Sequence, residues 1–178
     1  MTNDLETEEF SYVEHTYSSD EKMKWWGYGE WVEEFDYATF SYNGWECVIR
    51  RECFDDGPIM FGGFLCGFVK IPKDHPLYIV NPDIHLNDLS DFDVHGGITC
   101  YGYPFWDEEN LYLGFDCDHV SDINPCFKKM REFPEEFPEG FCDFFDSLFH
   151  ICNPTYKNIS FVKKELEHLC DQLSKYDS

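Results

Sequence analysis

The sequence has few positive charges. Only 13 of its 178 residues are Lys or Arg, against 36 Asp and Glu, so the formal net charge is −23. Binding to DNA, RNA or an anionic membrane relies on Lys and Arg displacing counterions from phosphates. The shortage of cations therefore argues against direct nucleic-acid or membrane binding and favours a basic protein partner. Solubility alone is the other explanation of the same charge.

Long apolar runs are also absent. No stretch approaches the roughly 18 apolar residues that a membrane-spanning helix needs. The segment Met1 to Glu9 is polar and acidic and has no apolar core of a secretion signal. The sequence holds nine cysteines but no C-x-x-C pair. We therefore expect a cytoplasmic protein with reduced thiols, most of them small buried core residues, and no disulfide framework.

Common catalytic motifs are missing as well. The sequence has no Gly-rich phosphate loop, no H-E-x-x-H pair and no nucleophile elbow. These absences weigh against an enzyme.

Apolar and aromatic residues are plentiful. They make up 43% and 19% of the chain, which is enough for a packed core. The length predicts one domain over 1–178. Within it we expect an acidic arm or helix over 1–24, a β-rich core with a metal site over 35–125, and a helical part over 126–178. The predicted class is α+β, a mostly antiparallel sheet with C-terminal helices packed on one side.

Turn residues and alternating hydrophobicity predict the strands. Asn43-Gly44 lies between two β-rich runs and predicts a tight hairpin. Residues 55–63, which include Gly62-Gly63, are predicted to form a loop. The further predicted strands are Phe64–Ile71, Val94–Tyr101 and Leu111–Cys117, the last two antiparallel neighbours because their connection is short.

Helical patterns fill the last third. Asn158 is a predicted N-cap, and an apolar stripe at helical spacing follows it. Two shorter segments, 125–132 and 138–149, are further helix candidates. The stripe consists of Ile159, Val162, Leu166, Leu169 and Leu173.

Potential metal ligands concentrate around the last two predicted strands. If Tyr101 pairs near Asn110, His95 lies opposite Asp116 on one face of the sheet. Directly opposed residues have Cβ atoms roughly 5 Å apart, as two ligands of one ion require. His119 follows three residues after Asp116, where a turn can bring its imidazole back. Two nitrogens and one oxygen suit Zn²⁺.

The rest of the coordination shell stays open at this point. Asp122, Asp93 or Asp118 can complete or support it, whereas Cys117 is expected to point inward. The alternative is a hydrogen-bonded pair of Asp116 and His119 with His95 as an ordinary core residue. A register shift of one residue would also move the strand ligands to opposite faces.

The segments V-H-G-G-I-T at 94–99 and G-F-D-C-D-H-V-S-D at 114–122 resemble a family of small phage and prophage proteins. That family has an H-G-G-[IL]-T segment and a G-F-D-x-x-H-x-x-D segment. The resemblance covers roughly residues 93–125. Among such proteins the chain looks like a metal-binding anti-CRISPR protein, which blocks the RNA-guided DNA nuclease of type II systems.

The resemblance implies a zinc-binding inhibitor in the cytoplasm of an infected bacterial host. It implies His95, Asp116 and His119 as ligands, with Asp122 as the fourth. The expected partner is a basic surface of the host CRISPR nuclease, whose nucleic-acid channels are positively charged. The alternative is a metal-dependent hydrolase in which the same His/Asp/His site activates water.

One acidic and aromatic loop is the predicted contact with a partner. Trp106 stands beside three consecutive acids, Asp107, Glu108 and Glu109. An exposed Trp among acids suits an interface with a basic protein. The alternative is that its aromatic residues belong to the core.

Overall fold

The computed structural model describes residues 9–56, 59–78, 86–137 and 153–176. Its described strands are Tyr12–Glu14 (β1), Tyr37–Tyr42 (β2), Trp45–Asp56 (β3), Ile59–Lys70 (β4), Cys100–Gly102 (β5) and Tyr112–Asp116 (β6). The described α-helices are Ser19–Trp26 (α1), Pro125–Glu132 (α2) and Ile159–Leu173 (α3). The helix predicted over 138–149 lies outside these residues.

The six strands form one antiparallel sheet in the order β1-β2-β3-β4-β6-β5. Helices α2 and α3 both pack against β4. The methyl of Val162 in α3 faces Gly67 in β4, and Pro125 in α2 faces Gly63 of the same strand. Leu65 and Val69, which share the sheet face of Gly67, pack in one core with the apolar residues of α3. The predicted α+β class is confirmed.

The hairpin predicted at Asn43-Gly44 is present. Tyr42 pairs with Trp45, and the two residues between them form the turn. Asn43 has φ 49° and Gly44 has φ 88°. Two successive positive φ angles define the turn whose twist matches that of paired strands.

The hairpin of β3 and β4 is longer than the sequence suggested. Strand β3 ends at Asp56 and strand β4 begins at Ile59, so the prediction of a loop over 55–63 is wrong. The register shifts just beyond Glu52, and Gly63 is the extra residue of a β-bulge. Gly62 and Gly63 have φ 88° and 89°, which only glycine adopts easily. These glycines therefore bend a strand instead of ending it.

The predicted strand Val94–Tyr101 is mostly wrong. Only its end pairs with β6, within β5, and residues 93–99 form a loop with a turn at His95 and Gly96. Gly96 and Gly97 have φ 69° and 84°, which are incompatible with an extended strand. The strand predicted over Leu111–Cys117 is confirmed as β6 with shorter ends.

Helix α3 has the predicted start and face. The Asn158 side chain accepts a hydrogen bond from the backbone N–H of Phe161, as an N-cap does. All five residues of the predicted apolar stripe are buried. They pack against the sheet in the main core, together with Leu65, Val69, Leu113 and Phe115.

A buried ionic cluster joins the N-terminal segment to β3. The Arg51 guanidinium lies 2.7 Å from an Asp36 carboxylate oxygen and 2.9 Å from one of Glu34. The ammonium of Lys22 in α1 lies 2.8 Å from the same Asp36 oxygen. Arg51 also donates to the hydroxyl of Tyr156, which precedes α3. Burial without such partners would be costly for these charges, so the cluster fixes three parts of the chain together.

The described cysteines are free thiols, and most are buried. No helix among the described residues is both long and apolar enough to span a membrane.

Candidate metal centre

The loop before β5 carries the first candidate ligand, His95. Its backbone N–H donates to a carboxylate oxygen of Glu165 in α3 at 2.8 Å. Val94 is buried beside it, and the N–H of Gly97 closes the turn onto the Val94 carbonyl at 3.0 Å. The turn therefore holds the His95 imidazole over the first half of α3, where it meets the Phe161 ring edge-on at 5.2 Å.

The turn after β6 carries the other two, His119 and Asp122. The Asp122 N–H donates to the His119 carbonyl at 2.8 Å, and the His119 N–H donates to Asp122 Oδ2 at 3.0 Å. An isolated parallel bridge to Thr155 anchors Asp122. Its carboxylate is fully buried. Two reciprocal bonds thus fix the position of this carboxylate.

Both imidazoles converge on Asp122. His95 Nε2 lies 2.9 Å from Oδ1 and 2.8 Å from Oδ2, and His119 Nδ1 lies 3.1 Å from Oδ2. The two rings are perpendicular, with centroids 5.2 Å apart. The Lys157 ammonium is 3.7 Å from Asp122 Oδ1 and offsets part of its charge.

Gly96 makes room for this arrangement. A Cβ added to Gly96 would lie 2.0 Å from the His119 ring. No larger residue fits at this position unless the His119 imidazole moves. A Cβ added to Gly97 would have no atom within 4 Å.

These three side chains can hold a metal ion, since one ligand atom from each lies within 4.8 Å of the others. Two imidazole nitrogens and one carboxylate oxygen are a donor set that zinc accepts. Tetrahedral zinc with bonds of about 2 Å separates its ligands by roughly 3.3 Å. The nitrogens facing Asp122 lie 2.8 to 3.1 Å from its oxygens, slightly closer than this separation.

Asp116, the strand ligand predicted from the sequence, stands apart from this group. Tyr101 pairs with Leu113 and not near Asn110, so the predicted register is off by three residues. His95 therefore meets the turn beyond β6 instead of the strand. Asp116 pairs with Cys66, which belongs to the cluster on the sheet face opposite α3. Its Oδ1 is 3.9 Å from His119 Nδ1.

The other residues considered for the shell have separate roles. Asp118 accepts a hydrogen bond from the Asn124 amide at 2.8 Å, and burial raises the pKa of its carboxyl. Asp93 has a largely exposed carboxylate, 3.7 Å from His168. Cys117 is buried as predicted, and burial raises the pKa of its thiol.

Part of the loop predicted to contact a partner packs against the protein's own sheet. Trp106 packs against Phe68 and Tyr112, with ring centroids 5.5 and 4.7 Å away. Asp107 accepts hydrogen bonds from the Tyr112 hydroxyl and from the loop itself. Glu108 and Glu109 are exposed.

Phe105 is the most exposed aromatic residue of the loop. It is 75% exposed and lies under the guanidinium of Arg50, 4.7 Å from its centre. Sequence reasoning missed Glu165 and Lys157 at the metal centre. Neither stands at a fixed spacing from the ligands, so no local pattern indicates them.

The fold and the site thus define an α+β protein with a candidate two-histidine, one-aspartate metal centre. Comparisons with protein-family models, curated proteins and solved structures found no match.

Proposed function

We propose that this protein is a zinc-stabilised inhibitor that binds a basic surface of a nucleic-acid-handling enzyme. The candidate target is a type II RNA-guided DNA nuclease in the cytoplasm of an infected bacterium. The proposal has two parts, the ion and the partner, and each has its own support and its own test.

The convergence of His95, His119 and Asp122 supports the zinc part. Glu165 and Asp122 accept hydrogen bonds from the backbone N–H groups of His95 and His119, and these bonds hold the two turns that carry the imidazoles. Bound zinc would join the loop before β5 to the turn after β6 and so stabilise both. We expect zinc to raise the melting temperature, because it binds the native state only.

A matched pair of variants tests the zinc part. Asp122→Asn removes the buried carboxylate at the centre of the group, whereas Asp116→Asn changes the neighbouring one. We expect Asp122→Asn to lower zinc affinity at least about tenfold by isothermal titration calorimetry, and Asp116→Asn to leave it unchanged. Equal losses in the two variants, or none in either, would contradict this assignment.

The partner part is supported by the number of cations already engaged within the chain. Counting only carboxylates of the described residues, at least eight of the 13 Lys and Arg lie within ion-pair distance of this protein's own acids. The remaining surface therefore carries a large excess of negative charge. Such a surface can compete with nucleic acid for a positively charged channel. The exposed Phe105 beside Glu108 and Glu109 supplies an aromatic anchor.

Binding of target DNA by a guide-loaded type II nuclease tests the partner part. We expect the protein to weaken DNA binding at low salt and to lose part of this effect at high salt. Phe105→Ala should reduce inhibition, while Phe54→Ala, an equally simple truncation of a 61% exposed ring, should not. Inhibition that is insensitive to salt, or that is absent, would refute this mechanism.

One observation favours the hydrolase alternative. Three protein ligands leave a tetrahedral ion with an open position, as in catalytic zinc sites, where the ion lowers the pKa of bound water. Turnover of a phosphate ester that stops with a chelator, and that Asp122→Asn abolishes, would establish this alternative and displace the inhibitor.

A further inference from the structure

A groove of about 930 Å³ lies between residues 28–35 and the start of α3. Its walls include Tyr28, Trp31 and Tyr156, and its acidic residues include Glu30 and Glu33. Tyr28 is 80% exposed, the largest exposure among the big hydrophobic residues described. None of the candidate metal ligands lines the groove.

Two carboxylates of the groove lack a compensating charge among the described residues. Glu30 accepts only an amide N–H of Asn158, at 3.0 Å, and Glu33 has no side-chain partner there. Both belong to one 3-10 turn, in which residues three apart lie side by side. Glu34, in contrast, is paired with the buried Arg51. Glu30 and Glu33 therefore present two negative charges in the same direction.

The two lysines that line the groove do not neutralise these carboxylates. Lys128 pairs with Glu132 at 2.8 Å, and Lys163 pairs with Glu167 at 2.6 Å. The Lys128 ammonium also lies 5.5 Å from the centre of the Trp31 ring. The groove wall thus already accommodates one cation against an aromatic face.

We propose that this groove binds an arginine-containing segment of a basic protein partner, with a guanidinium between Tyr28 and the carboxylates of Glu30 and Glu33. Arginine fits because its planar group stacks on an aromatic ring and donates to carboxylates at the same time. This inference rests on the proposed function for the existence of a basic partner. It adds a second contact surface, separate from the loop that contains Phe105.

A fluorescein-labelled hexa-arginine peptide tests the groove by fluorescence anisotropy. We expect Tyr28→Ala and Glu33→Gln each to raise the Kd at least about fivefold, the effect of losing one cation–π or charged contact. The matched controls are Phe54→Ala and Glu135→Gln, which change an exposed aromatic ring and an exposed acid outside the groove. Both controls should leave the Kd unchanged. Equal effects in all four variants would contradict the proposed arginine site, because they would mean that the peptide is attracted to the negative surface in general.

The same variants in the nuclease assay separate the two ideas. Loss of both peptide binding and inhibition with Tyr28→Ala and Glu33→Gln would place the partner in the groove. If the protein binds the peptide selectively but never inhibits the nuclease, the proposed function is wrong and the groove remains a binding site. If the protein inhibits the nuclease but binds the peptide non-selectively, the groove proposal is wrong and the proposed function remains.

Discussion

Asp122 is the residue on which the candidate metal centre depends. Its buried carboxylate contacts both imidazoles and the backbone N–H of His119. Because three groups converge on it, its position sets the separation of the two histidines. Asp116 is nearer to His95 in the sequence but lacks all of these contacts except its 3.9 Å approach to His119.

The neighbouring glycines offer a matched test of the space beneath His119. Both Gly96 and Gly97 have positive φ, so an alanine costs about 1–2 kcal/mol of stability at either position. Only at Gly96 does the new Cβ meet the His119 ring. We expect Gly96→Ala to lower the free energy of unfolding by about 3 kcal/mol or more, because overpacking adds to the strain. Gly96→Ala should also weaken zinc binding, whereas Gly97→Ala should not.

Urea unfolding and zinc titration of the two variants provide the measurement. Identical behaviour of Gly96→Ala and Gly97→Ala would mean that the close approach of Gly96 to His119 does not matter.

His95, His119 and Asp122 were all candidates from the sequence, because ligand residue types clustered at the ends of two segments. Their geometry was not predictable in the same way. The sequence placed Asp116 opposite His95 by assuming a continuous strand, and two glycines with positive φ break that strand. The residue types therefore indicated the region of the candidate site, whereas the backbone conformation determines which of these residues lie together.

Strands and helices were predicted correctly where alternating or periodic hydrophobicity agreed with the turn and capping residues. The Asn43-Gly44 turn and the buried stripe of α3 follow directly from local rules. The bulge at Gly62 and Gly63 does not, because a glycine pair can end a strand or bend one. Pairing with β3 over a long range decides between these outcomes.

The buried cluster around Arg51 gives a prediction for adjacent residues of β3. Arg51→Met would leave Asp36 and Glu34 with too little positive charge in a buried setting. We expect it to lower the free energy of unfolding by about 3–5 kcal/mol. Arg50→Met removes the partly exposed pair with Glu52 and the contacts of the guanidinium with the Phe105 and Trp106 rings, and should cost about 1–2 kcal/mol.

Urea denaturation of the two variants compares these costs directly. A similar small loss in both would mean that the cluster contributes specificity but little stability.

At the scale of the whole molecule, the net charge of −23 opposes folding by self-repulsion. Salt screens this repulsion, since the Debye length falls to about 10 Å at 0.1 M. We expect the melting temperature to rise as NaCl increases from about 20 mM to about 500 mM. Choline chloride should have the same effect if screening is the cause. A melting temperature that stays flat or falls in both salts would contradict self-repulsion.

X-ray absorption at the zinc edge of the zinc-loaded protein identifies the atoms that bind the ion. We expect one ion per chain with nitrogen and oxygen neighbours at about 2.0–2.1 Å and the outer-ring scattering of two imidazoles. A sulfur neighbour at about 2.3 Å, or a protein that takes up no zinc, would contradict it.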